Sequence, residues 1–564
     1  MEVPHDDHDD GFKRKIMLLS TVGGYTHAAP ILQLGAVLAA RGHTITFATN
    51  AGQEHWARSY PFISAVHTLG PALPADVDDD IFARSYAWSA ATSGGLGAIF
   101  ASKRTMDAHT WADSHAHLRR LCASSSPHRP DMILADYFSD AAATDMLREH
   151  GVAVAVLWPQ FPFAAPSAKP AYVPGVPGFQ PVPATTSEGL SVWQRLRNEV
   201  VLLRALPHVR AQERWTRQMR RRAGAARDRP MGYERLRFLV LVNSFFGLET
   251  PRPLPPLMAA VGPVLADSWA PLESGFERWL EGRRRVVYVS LGTHVVLPED
   301  KGVELMKGLV EVLRRGGVDG VVWALPEVTR KRFDRGKRVA VAGNGAEEME
   351  TEVVVGDVLD GKLDGFMVMP FAPQRAVLDH PHVTLFLTHA GGSSANEATY
   401  HGVRVLCLPV WFDQLANAVR LVDAGVGLKL DKFAFHSGEV VEKIETVVRD
   451  EDGMFAKNVQ RLKRIARIAA KGKHRAADLI EEVLADWEGG AGKGERPMHL
   501  QTADCRMSTW KARNWDLWAV VMGITAVSGG LTWWGVRAIW LKRNFVGGLV
   551  GKAWAGLRSL ARQS

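Results

Sequence analysis

Residues suited to chemistry are concentrated between positions 371 and 414. There an apolar run, Val383–Thr388, is followed by His389 and by the small residues 391–394, after which a helical pattern begins. Small residues after a strand let backbone N–H groups at a helix start approach an anion closely, and serine hydroxyls and the histidine add further donors. This order of residues predicts a diphosphate-binding site.

Two sets of polar side chains flank the predicted diphosphate site. Glu397 follows one turn into the helix, where its carboxylate can accept hydrogen bonds from a ribose diol. Asp413 and Gln414 come after the next strand end, at Pro409, and their adjacent polar groups suit sugar hydroxyls. A Gly-Gly turn alone is weak evidence, but the ordered set predicts a diphosphate site between two groups that bind hydroxyls.

The stretch resembles the donor-binding signature of the family-1 UDP-glycosyltransferases, which runs W-x-P-Q, H-P, T-H-x-G, S, E and D-Q. Phe371 replaces the tryptophan that stacks on uracil, and it keeps an aromatic face of smaller area. Gly392 and Ser393 stand where many plant members have Trp and Asn. The resemblance implies a donor site formed by Phe371, Ala372, Gln374, His389, Gly391, Gly392, Ser393, Ser394, Glu397, Asp413 and Gln414.

The resemblance extends over roughly residues 14–487. Residues 286–293, VVYVSLGT, are similar to the family's strand that ends in Gly-Ser/Thr, whose hydroxyl reaches a phosphate and is here that of Thr293. The segments LVNSFFGLE at 241–249 and VGP at 261–263 are similar to the stretches before the interdomain linker. Near the N-terminus, HAAP at 27–30 and RGH at 41–43 resemble the family's H-x-x-P and R-G-H.

His27, in the predicted loop after the first strand, is the candidate catalytic base that the resemblance implies. A histidine suits this role because its unperturbed pKa lies near operating pH. Such a base needs a carboxylate to orient it. Asp136 ends an apolar run and matches the family's D-x-F position, while Asp131 and Asp140 are nearby alternatives.

The elements that must position these residues alternate between strand and helix. An apolar run at 15–21, a helical pattern that opens at Pro30 and stops at Gly42, and the strand Thr44–Thr49 form a βαβ unit. A second series starts at 285–291 and continues at 320–325, Phe366–Met369, Val383–Thr388 and 403–408.

The two series predict an α/β protein of two parallel-sheet halves, and the resemblance implies the GT-B arrangement, two Rossmann-like domains facing across a cleft. We expect a disordered acidic tail at 1–13, an acceptor-binding domain at 14–261 and a UDP-sugar-binding domain at 262–488.

Two further stretches are unusual in composition. Residues 158–183 are rich in proline and aromatic side chains, and with residues 86–100 they are expected to form loops over the acceptor pocket. Residues 210–229 are rich in arginine, which indicates a solvated helix face, with a phosphate-binding or membrane-facing role as the alternative.

The composition excludes several classes of protein. The 564 residues, 46% apolar and 23% charged, are too many for one core and are ordinary for a globular chain, which excludes disorder as the main state, a collagen-like repeat and a multi-span transporter. A net charge of +8 over this length does not favour nucleic acid. The scattered cysteines Cys122, Cys407 and Cys505 predict no disulfide framework and indicate a reducing compartment.

The C-terminal region departs from this average. Residues 517–536 carry no charged side chain, and tryptophans lie at both ends of the run, as at a membrane boundary. We expect a linker at 489–516, a transmembrane helix at 517–541 and a basic amphipathic tail at 542–564 that lies on the membrane surface.

The side of the membrane on which the catalytic domains lie is predicted from two opposing features of the sequence. Basic residues after the apolar run would place the enzyme in a lumen, but the acidic N-terminal segment does not resemble a signal peptide. We therefore expect a tail anchor, in the endoplasmic reticulum, with cytosolic catalytic domains; a shallow hairpin in the membrane is the alternative.

The functional prediction is an inverting glycosyltransferase that moves a hexose, favoured as glucose, from a UDP-sugar co-substrate to a small lipophilic alcohol or phenol. Because helix-start donors already stabilise the departing UDP, we expect no metal ion and no cofactor. A sterol or lipid glucosyltransferase and a non-catalytic nucleotide-sugar sensor are the alternatives. A dinucleotide oxidoreductase is disfavoured, since residues 22–27 read VGGYTH rather than G-x-G-x-x-G.

Overall fold

The computed structural model describes residues 12–89, 96–161, 185–186, 188–225, 237–251, 254–341, 351–488, 498–501, 503 and 507–562. The chain divides into two compact units, residues 1–500 and 501–564. The first unit contains two parallel sheets, one from each half of its sequence.

The N-terminal sheet is parallel and has the strand order β3-β2-β1-β4-β5-β6-β7. Its strands are β1 Lys15–Leu19, β2 Thr44–Thr49, β3 Ile63–Thr68, β4 Met132–Asp136, β5 Ala153–Trp158, β6 Leu239–Val242 and β7 Met258–Ala260. The central strands are buried along their whole length, as expected where helices cover both faces of a sheet. The helices of this half are α1 Tyr25–Ala40, α2 Ala75–Ser85, α3 Leu96–Cys122, α4 Asp140–His150 and α5 Val192–Arg222.

Helix α1 begins at Tyr25 rather than at Pro30, where we expected it. Gly24, at φ 76°, turns the chain immediately before the helix. Pro30 is tolerated inside α1, where its missing N–H costs one intrahelical hydrogen bond. His27 therefore lies in the first turn of a helix and not in a loop, which fixes its backbone.

The C-terminal sheet is also parallel and has the order β12-β9-β8-β13-β14-β15. Its strands are β8 Val286–Ser290, β9 Gly320–Ala324, β12 Phe366–Met369, β13 Val383–Thr388, β14 Arg404–Cys407 and β15 Gly427–Lys429. A separate antiparallel pair joins β10 Arg338–Val341 to β11 Thr351–Val354. The helices are α6 Ser274–Glu281, α7 Glu299–Arg314, α8 Glu327–Arg330, α9 Val355–Leu359, α10 Gln374–Asp379, α11 Gly392–His401, α12 Asp413–Asp423, α13 Ser437–Arg449, α14 Met454–Ala469 and α15 Gly472–Glu488.

Helix α15 crosses back to the N-terminal half. Its apolar side chains, among them Ile480 and Leu484, are fully or almost fully buried in the same cluster as α1, β1 and β4. The R-G-H motif holds it there: Arg41 forms ion pairs of 2.6 Å with Glu481 and 2.7 Å with Asp478. His43 contacts the other oxygen of Glu481 at 2.9 Å. A helix that follows the second sheet in sequence thus completes the core of the first.

A buried lysine also joins the two halves. Lys432, which follows β15, is 5% exposed, and its ammonium donates hydrogen bonds to the backbone carbonyls of Tyr86, Trp88 and Val410. The Tyr86 hydroxyl donates in return to the Lys432 carbonyl. Burial lowers the pKa of Lys432 to about 8.

The second unit contains α16 Thr509–Ala512 and α17 Trp515–Leu560. One continuous helix, α17, covers both the predicted span at 517–541 and most of the predicted surface tail at 542–564. The basic residues Lys542 and Arg543 are good helix formers and do not interrupt it. By length and composition α17 is able to cross a membrane, and its large apolar side chains are exposed.

Candidate active site

A large cavity, about 2040 Å³ in volume, is lined by residues of both halves of the first unit. Loops and helix starts that follow β1, β4, β8 and β13 contribute to its walls. The carboxyl ends of parallel strands are the usual place for a ligand in such sheets, because the connecting loops leave a crevice there.

On the N-terminal side, His27 and Asp136 form a hydrogen-bonded pair. His27 Nδ1 lies 2.9 Å from Asp136 Oδ1, and the histidine side chain is 21% exposed. Asp136 Oδ2 accepts a hydrogen bond of 2.9 Å from the Phe138 N–H, which fixes the carboxylate. Because the carboxylate engages Nδ1, the imidazole is oriented with Nε2 as its basic nitrogen.

Space for this imidazole is provided by Gly23. At φ 94° its backbone is in the left-handed region, and a Cβ added there would lie 2.5 Å from His27 Cδ2. Phe138 also packs against the ring, with centroids 4.9 Å apart. The Val-Gly-Gly segment after β1 therefore shapes a slot for the histidine.

Of the two alternative carboxylates, Asp131 lies at the other end of β4, whereas Asp140 lines the same cavity as Asp136. Asp131 precedes β4 and accepts a hydrogen bond of 2.8 Å from the Lys15 N–H, at the opposite end of the strand from Asp136. Asp140 begins α4. Of the three candidates, Asp136 is the one at hydrogen-bond distance from His27.

Opposing effects set the pKa of His27. Burial lowers it, but the charge of Asp136 and the hydrogen bond to it outweigh burial, so the pKa is raised above its ordinary value. The charge of Asp413, which belongs to the C-terminal half, adds to this rise. The predicted base and a predicted sugar-binding carboxylate are thus close enough to interact.

On the C-terminal side, one group of predicted donor residues is already connected by hydrogen bonds. Gln374 Nε2 donates to Glu397 Oε2 at 2.7 Å and to Ser394 Oγ at 3.2 Å. Burial raises the pKa of Glu397, against the effects of Gln374 and Arg375. Phe371 is 76% exposed at the cavity rim, where its ring is free to stack on a base, and Ala372 is buried beside it.

A second group surrounds the start of α11. Gly391 precedes the helix, and Gly392 and Ser393 form its first residues at the cavity wall. The neighbouring ring of His389 fits against Gly292, where an added Cβ would lie 2.8 Å from His389 Cε1. Burial lowers the pKa of His389 to about 4, so this imidazole is neutral at neutral pH. Thr293 follows Gly292 and is exposed in the cavity.

A third group lies at the start of α12. Asp413 is the first helical residue, and its Oδ2 accepts a hydrogen bond of 3.1 Å from Asn417. The preceding Phe412 has a φ of 54°, a strained conformation for a non-glycine residue. Gln414 Oε1 accepts from the Val410 and Trp411 N–H groups at 2.9 and 3.0 Å, which orients its amide. Burial raises the pKa of Asp413.

The structure adds functional candidates that sequence reasoning missed. His294 directly follows Thr293 and lines the cavity, and Arg420 holds α12 against the N-terminal half through Glu249 at 3.2 Å. Arg420 also donates to Asn417 Oδ1 at 2.8 Å, the residue that contacts Asp413. In the sequence, the position of His294 next to Thr293, a predicted phosphate-binding residue, indicates a functional role. No sequence feature indicates a role for Arg420, because its partner Glu249 is distant in sequence.

Some predicted features lie outside the described residues. Most of the expected acceptor loop at 158–183 is among them, as are residues 90–95 of the stretch 86–100. In the arginine-rich stretch, the residues of α5 up to Arg222 are helical, and residues 226–229 are not described.

Two parallel α/β sheets that share a cavity, with a histidine–carboxylate pair on one side and a helix-start site on the other, define a GT-B glycosyltransferase. The chain belongs to the family described as "UDP-glucoronosyl and UDP-glucosyl transferase", whose profile matches residues 17–471. It is therefore a UDP-sugar-dependent glycosyltransferase, and the predicted family and enzyme class are confirmed.

Known relatives extend over nearly the whole chain. A "UDP-glycosyltransferase" of Talaromyces amestolkiae is 40% identical over 527 residues, which are 92% of this chain and 97% of the relative. "UDP-glycosyltransferase stmC" of Aspergillus ustus is 39% identical over 535 residues, 93% of this chain and 98% of that protein.

Solved structures support the fold class. A UDP-glucosyltransferase from Polygonum tinctorium, described as capable of glucosylating indoxyl, aligns with a TM-score of 0.55 at 20% identity, covering 84% of this chain and 99% of that one. Os79 from O. sativa in complex with UDP aligns with a TM-score of 0.52 at 21% identity, covering 83% and 100%. The predicted GT-B fold is confirmed.

Proposed function

We propose that this enzyme transfers glucose, with inversion at the anomeric carbon, from UDP-glucose to a hydroxyl of a small lipophilic acceptor. The observation that carries the proposal is the 2.9 Å contact between His27 and Asp136, on the wall of a cavity whose other wall holds the donor motif. In the proposed reaction this pair would supply the base that removes the proton of the acceptor hydroxyl.

In the proposed reaction, His27 Nε2 takes the proton of the acceptor hydroxyl. The acceptor oxygen forms a bond to the anomeric carbon as the bond from that carbon to the β-phosphate oxygen breaks, and UDP leaves with the electron pair. Thr293, His389 and the N–H groups at residues 391–394, which line the cavity, would stabilise the charge on the leaving UDP. These donors support our proposal that transfer needs no metal ion and no cofactor.

The residues proposed to bind UDP and the sugar follow the family motif. Phe371 and Ala372 would contact uracil, and Gln374 with Glu397 would contact the ribose; Ser394 supports Gln374. Asp413 and Gln414 would read the glucose hydroxyls.

Two nearby arginines already contact other side chains and are not positioned to bind a glucuronate carboxylate, which favours glucose as the transferred sugar. Arg420 beside the sugar-binding residues is paired with the buried Glu249, and Arg375 is stacked on Trp269 with its guanidinium 4.3 Å from the ring centroid. Equal or better turnover with UDP-glucuronate or UDP-N-acetylglucosamine would contradict this choice of donor.

The acceptor is proposed to be a flat apolar alcohol or phenol. The acceptor side of the cavity includes Phe82, Phe100, Trp111 and Trp158. A sterol or lipid alcohol is the second candidate, favoured by α17, which is able to cross a membrane. A panel of phenols, sterols and lipid alcohols, assayed with labelled UDP-glucose, distinguishes the two classes.

The proposal also covers how the protein is attached to a membrane and on which side its catalytic unit lies. We place α17 in the endoplasmic reticulum membrane as a tail anchor, with the catalytic unit in the cytosol. Protease added to intact microsomes should then degrade the catalytic unit; protection that is lost only with detergent would show the opposite orientation.

The base assignment is tested by His27→Ala. We expect UDP release in the presence of acceptor to fall by roughly 10²–10⁴-fold, since a positioned general base contributes this much. Affinity for UDP should be unchanged. The control is His109→Ala on α3, whose ring contacts the Thr105 carbonyl and is exposed. Normal transfer by His27→Ala would contradict the mechanism, and an absence of acceptor-dependent UDP release in the unmodified enzyme would instead favour a non-catalytic sensor.

A further inference from the structure

His294 lines the cavity but has no role in the reaction proposed above. It belongs to the loop after β8, in the C-terminal half, but its ring stacks on Phe82 of α2 with centroids 4.2 Å apart. Its Nε2 would lie 3.1 Å from a Cβ added at Gly24, which precedes α1. His294 is therefore a cavity residue of one half that packs against two elements of the other.

His294 lies close enough to interact electrostatically with His27 and with His389, which also line the described part of the cavity. The charge of His27 acts on His294, and His294 in turn acts on His389. His27 is the proposed base beside the acceptor, and His389 lies at the proposed diphosphate site. Because the acceptor oxygen must attack the anomeric carbon opposite the departing phosphate, the transferred sugar has to lie between the proposed base and the proposed diphosphate site, in the cavity that His294 also lines.

The imidazole of His294 is available to a ligand. Burial, together with the charge of His27, lowers the pKa of His294 to about 4, so the ring is neutral at neutral pH and carries one N–H donor and one acceptor nitrogen. In the part of the chain that the structure describes, its ring is stacked but neither nitrogen has a hydrogen-bond partner.

We propose that His294 binds a hydroxyl group of the transferred hexose and is a specificity-determining residue of the donor site. A hydroxyl both donates and accepts a hydrogen bond, which matches the one donor and one acceptor of a neutral imidazole. This inference rests on the proposed function. It adds a sugar contact from the β8 loop to those proposed for Asp413 and Gln414.

Three substitutions separate this role from a structural one. His294→Phe keeps an aromatic ring against Phe82 and removes both nitrogens, His294→Ala removes the ring, and His294→Gln restores a donor and an acceptor. We expect kcat/KM for UDP-glucose to fall roughly 10- to 100-fold in the Phe and Ala variants and to recover in part in Gln. The Kd for UDP, measured by calorimetry, should change less than about twofold, because UDP lacks the sugar.

Deoxy-sugar donors identify the contact itself. The unmodified enzyme should lose about tenfold or more in kcat/KM with the one UDP-deoxyglucose that lacks the bound hydroxyl, whereas His294→Phe should be insensitive to the same deletion. The inference would be overturned by a His294→Phe variant as active as the unmodified enzyme, or by one that responds to every deoxy donor as the unmodified enzyme does. A loss of UDP affinity would also overturn it, because the contact would then be to the diphosphate.

The proposed function itself is checked in parallel by His27→Ala, with His109→Ala as the common control. If His27→Ala retains transfer, the base assignment fails. If it loses transfer while His294→Phe is normal, only the inference about His294 fails.

Discussion

At the scale of single residues, the described lining of the cavity includes three histidines whose pKa values are shifted in different directions. Asp136 raises the pKa of His27 against the effect of burial, whereas burial lowers those of His294 and His389 to about 4. One imidazole is thereby suited to take up a proton and two are suited to remain neutral hydrogen-bonding groups. Such divergent environments are how one site assigns separate roles to groups of the same type.

The pairing of His27 with Asp136 predicts a pH effect. As the proposed base, His27 must be neutral to accept a proton, so kcat should rise with pH through a pKa that lies above the ordinary 6.5 of histidine. Asp136→Asn removes the charge that raises this pKa, and burial then dominates. We expect the acid limb of the pH–rate profile to move to lower pH, and the plateau kcat to fall by about 10²–10⁴-fold.

The matched control for this experiment is Asp131→Asn. Asp131 lies at the other end of β4 and contacts the Lys15 N–H rather than His27. Asp131→Asn should leave both the acid limb of the pH–rate profile and the plateau kcat unchanged. A limb that does not move in Asp136→Asn would show that another group sets it.

At the scale of elements, short turns with unusual backbone angles place the functional side chains. Gly24 allows α1 to start early enough to include His27, Gly292 accommodates the ring of His389, and Phe412 turns the chain so that Asp413 begins α12. The glycines could be found in the sequence, but the strained Phe412 could not, because nothing about a phenylalanine indicates a positive φ.

A substitution at Gly292 tests this role of a turn. Gly292→Ala adds strain at φ 77° and a Cβ 2.8 Å from His389 Cε1, so the imidazole must move. We expect KM for UDP-glucose to rise about tenfold or more, the equivalent of one lost hydrogen bond. Steady-state kinetics over a range of UDP-glucose concentrations measures it.

Gly316→Ala provides the comparison. Gly316 has a similar φ of 68°, but an added Cβ there meets nothing within 4 Å. Both variants should lose roughly 1 kcal/mol in the free energy of unfolding, since both force alanine into the left-handed region. Only Gly292→Ala should lose donor affinity; equal kinetics in the two variants would contradict the packing argument.

The sequence predicted the elements better than it predicted their ends and their partners. Strands β2, β12 and β13 have the expected bounds because apolar runs closed by polar or small residues define them. The sequence does not predict the early start of α1, because proline is typical of the first turn of a helix and Pro30 therefore indicates a later start. The membership of α15 in the first core could not be predicted, since its apolar face fits the surface of either half.

At the scale of the whole molecule, the first unit is held together by contacts that join distant parts of the chain. Arg41 and His43 bind Glu481 on α15, and Lys432 donates to carbonyls of Tyr86 and Trp88. The domain boundary at 261/262 stays a prediction, and α15, which follows it in sequence, packs in the same cluster as the first sheet.

Removal of the α15 anchor should destabilise the whole unit. Glu481→Ala leaves His43, whose side chain is 1% exposed, without its acceptor. We expect a loss of about 1–3 kcal/mol in the free energy of unfolding. Thermal or denaturant unfolding measures it. Glu482→Ala is the control, because its side chain is 39% exposed and pairs at the surface, so it should cost less than about 0.5 kcal/mol.

The proposed membrane span in α17 is tested by shortening the chain. A chain ending at residue 500 should leave the membrane fraction, whereas one ending at residue 541 retains the apolar run and should stay in membranes after carbonate extraction. Release of both shortened chains would contradict the assignment of the span to 517–541.

The return of α15 to the first core has a consequence for the order of events during synthesis. The first half of the chain leaves the ribosome with an apolar groove that its own residues do not fill, and Ile480 and Leu484 emerge only near the end of the catalytic unit. At usual elongation rates, roughly 10–40 s pass before α15 has been synthesised and can fill this groove. We therefore expect nascent chains to pass through an interval in which the N-terminal half is incomplete and its exposed apolar surface favours aggregation.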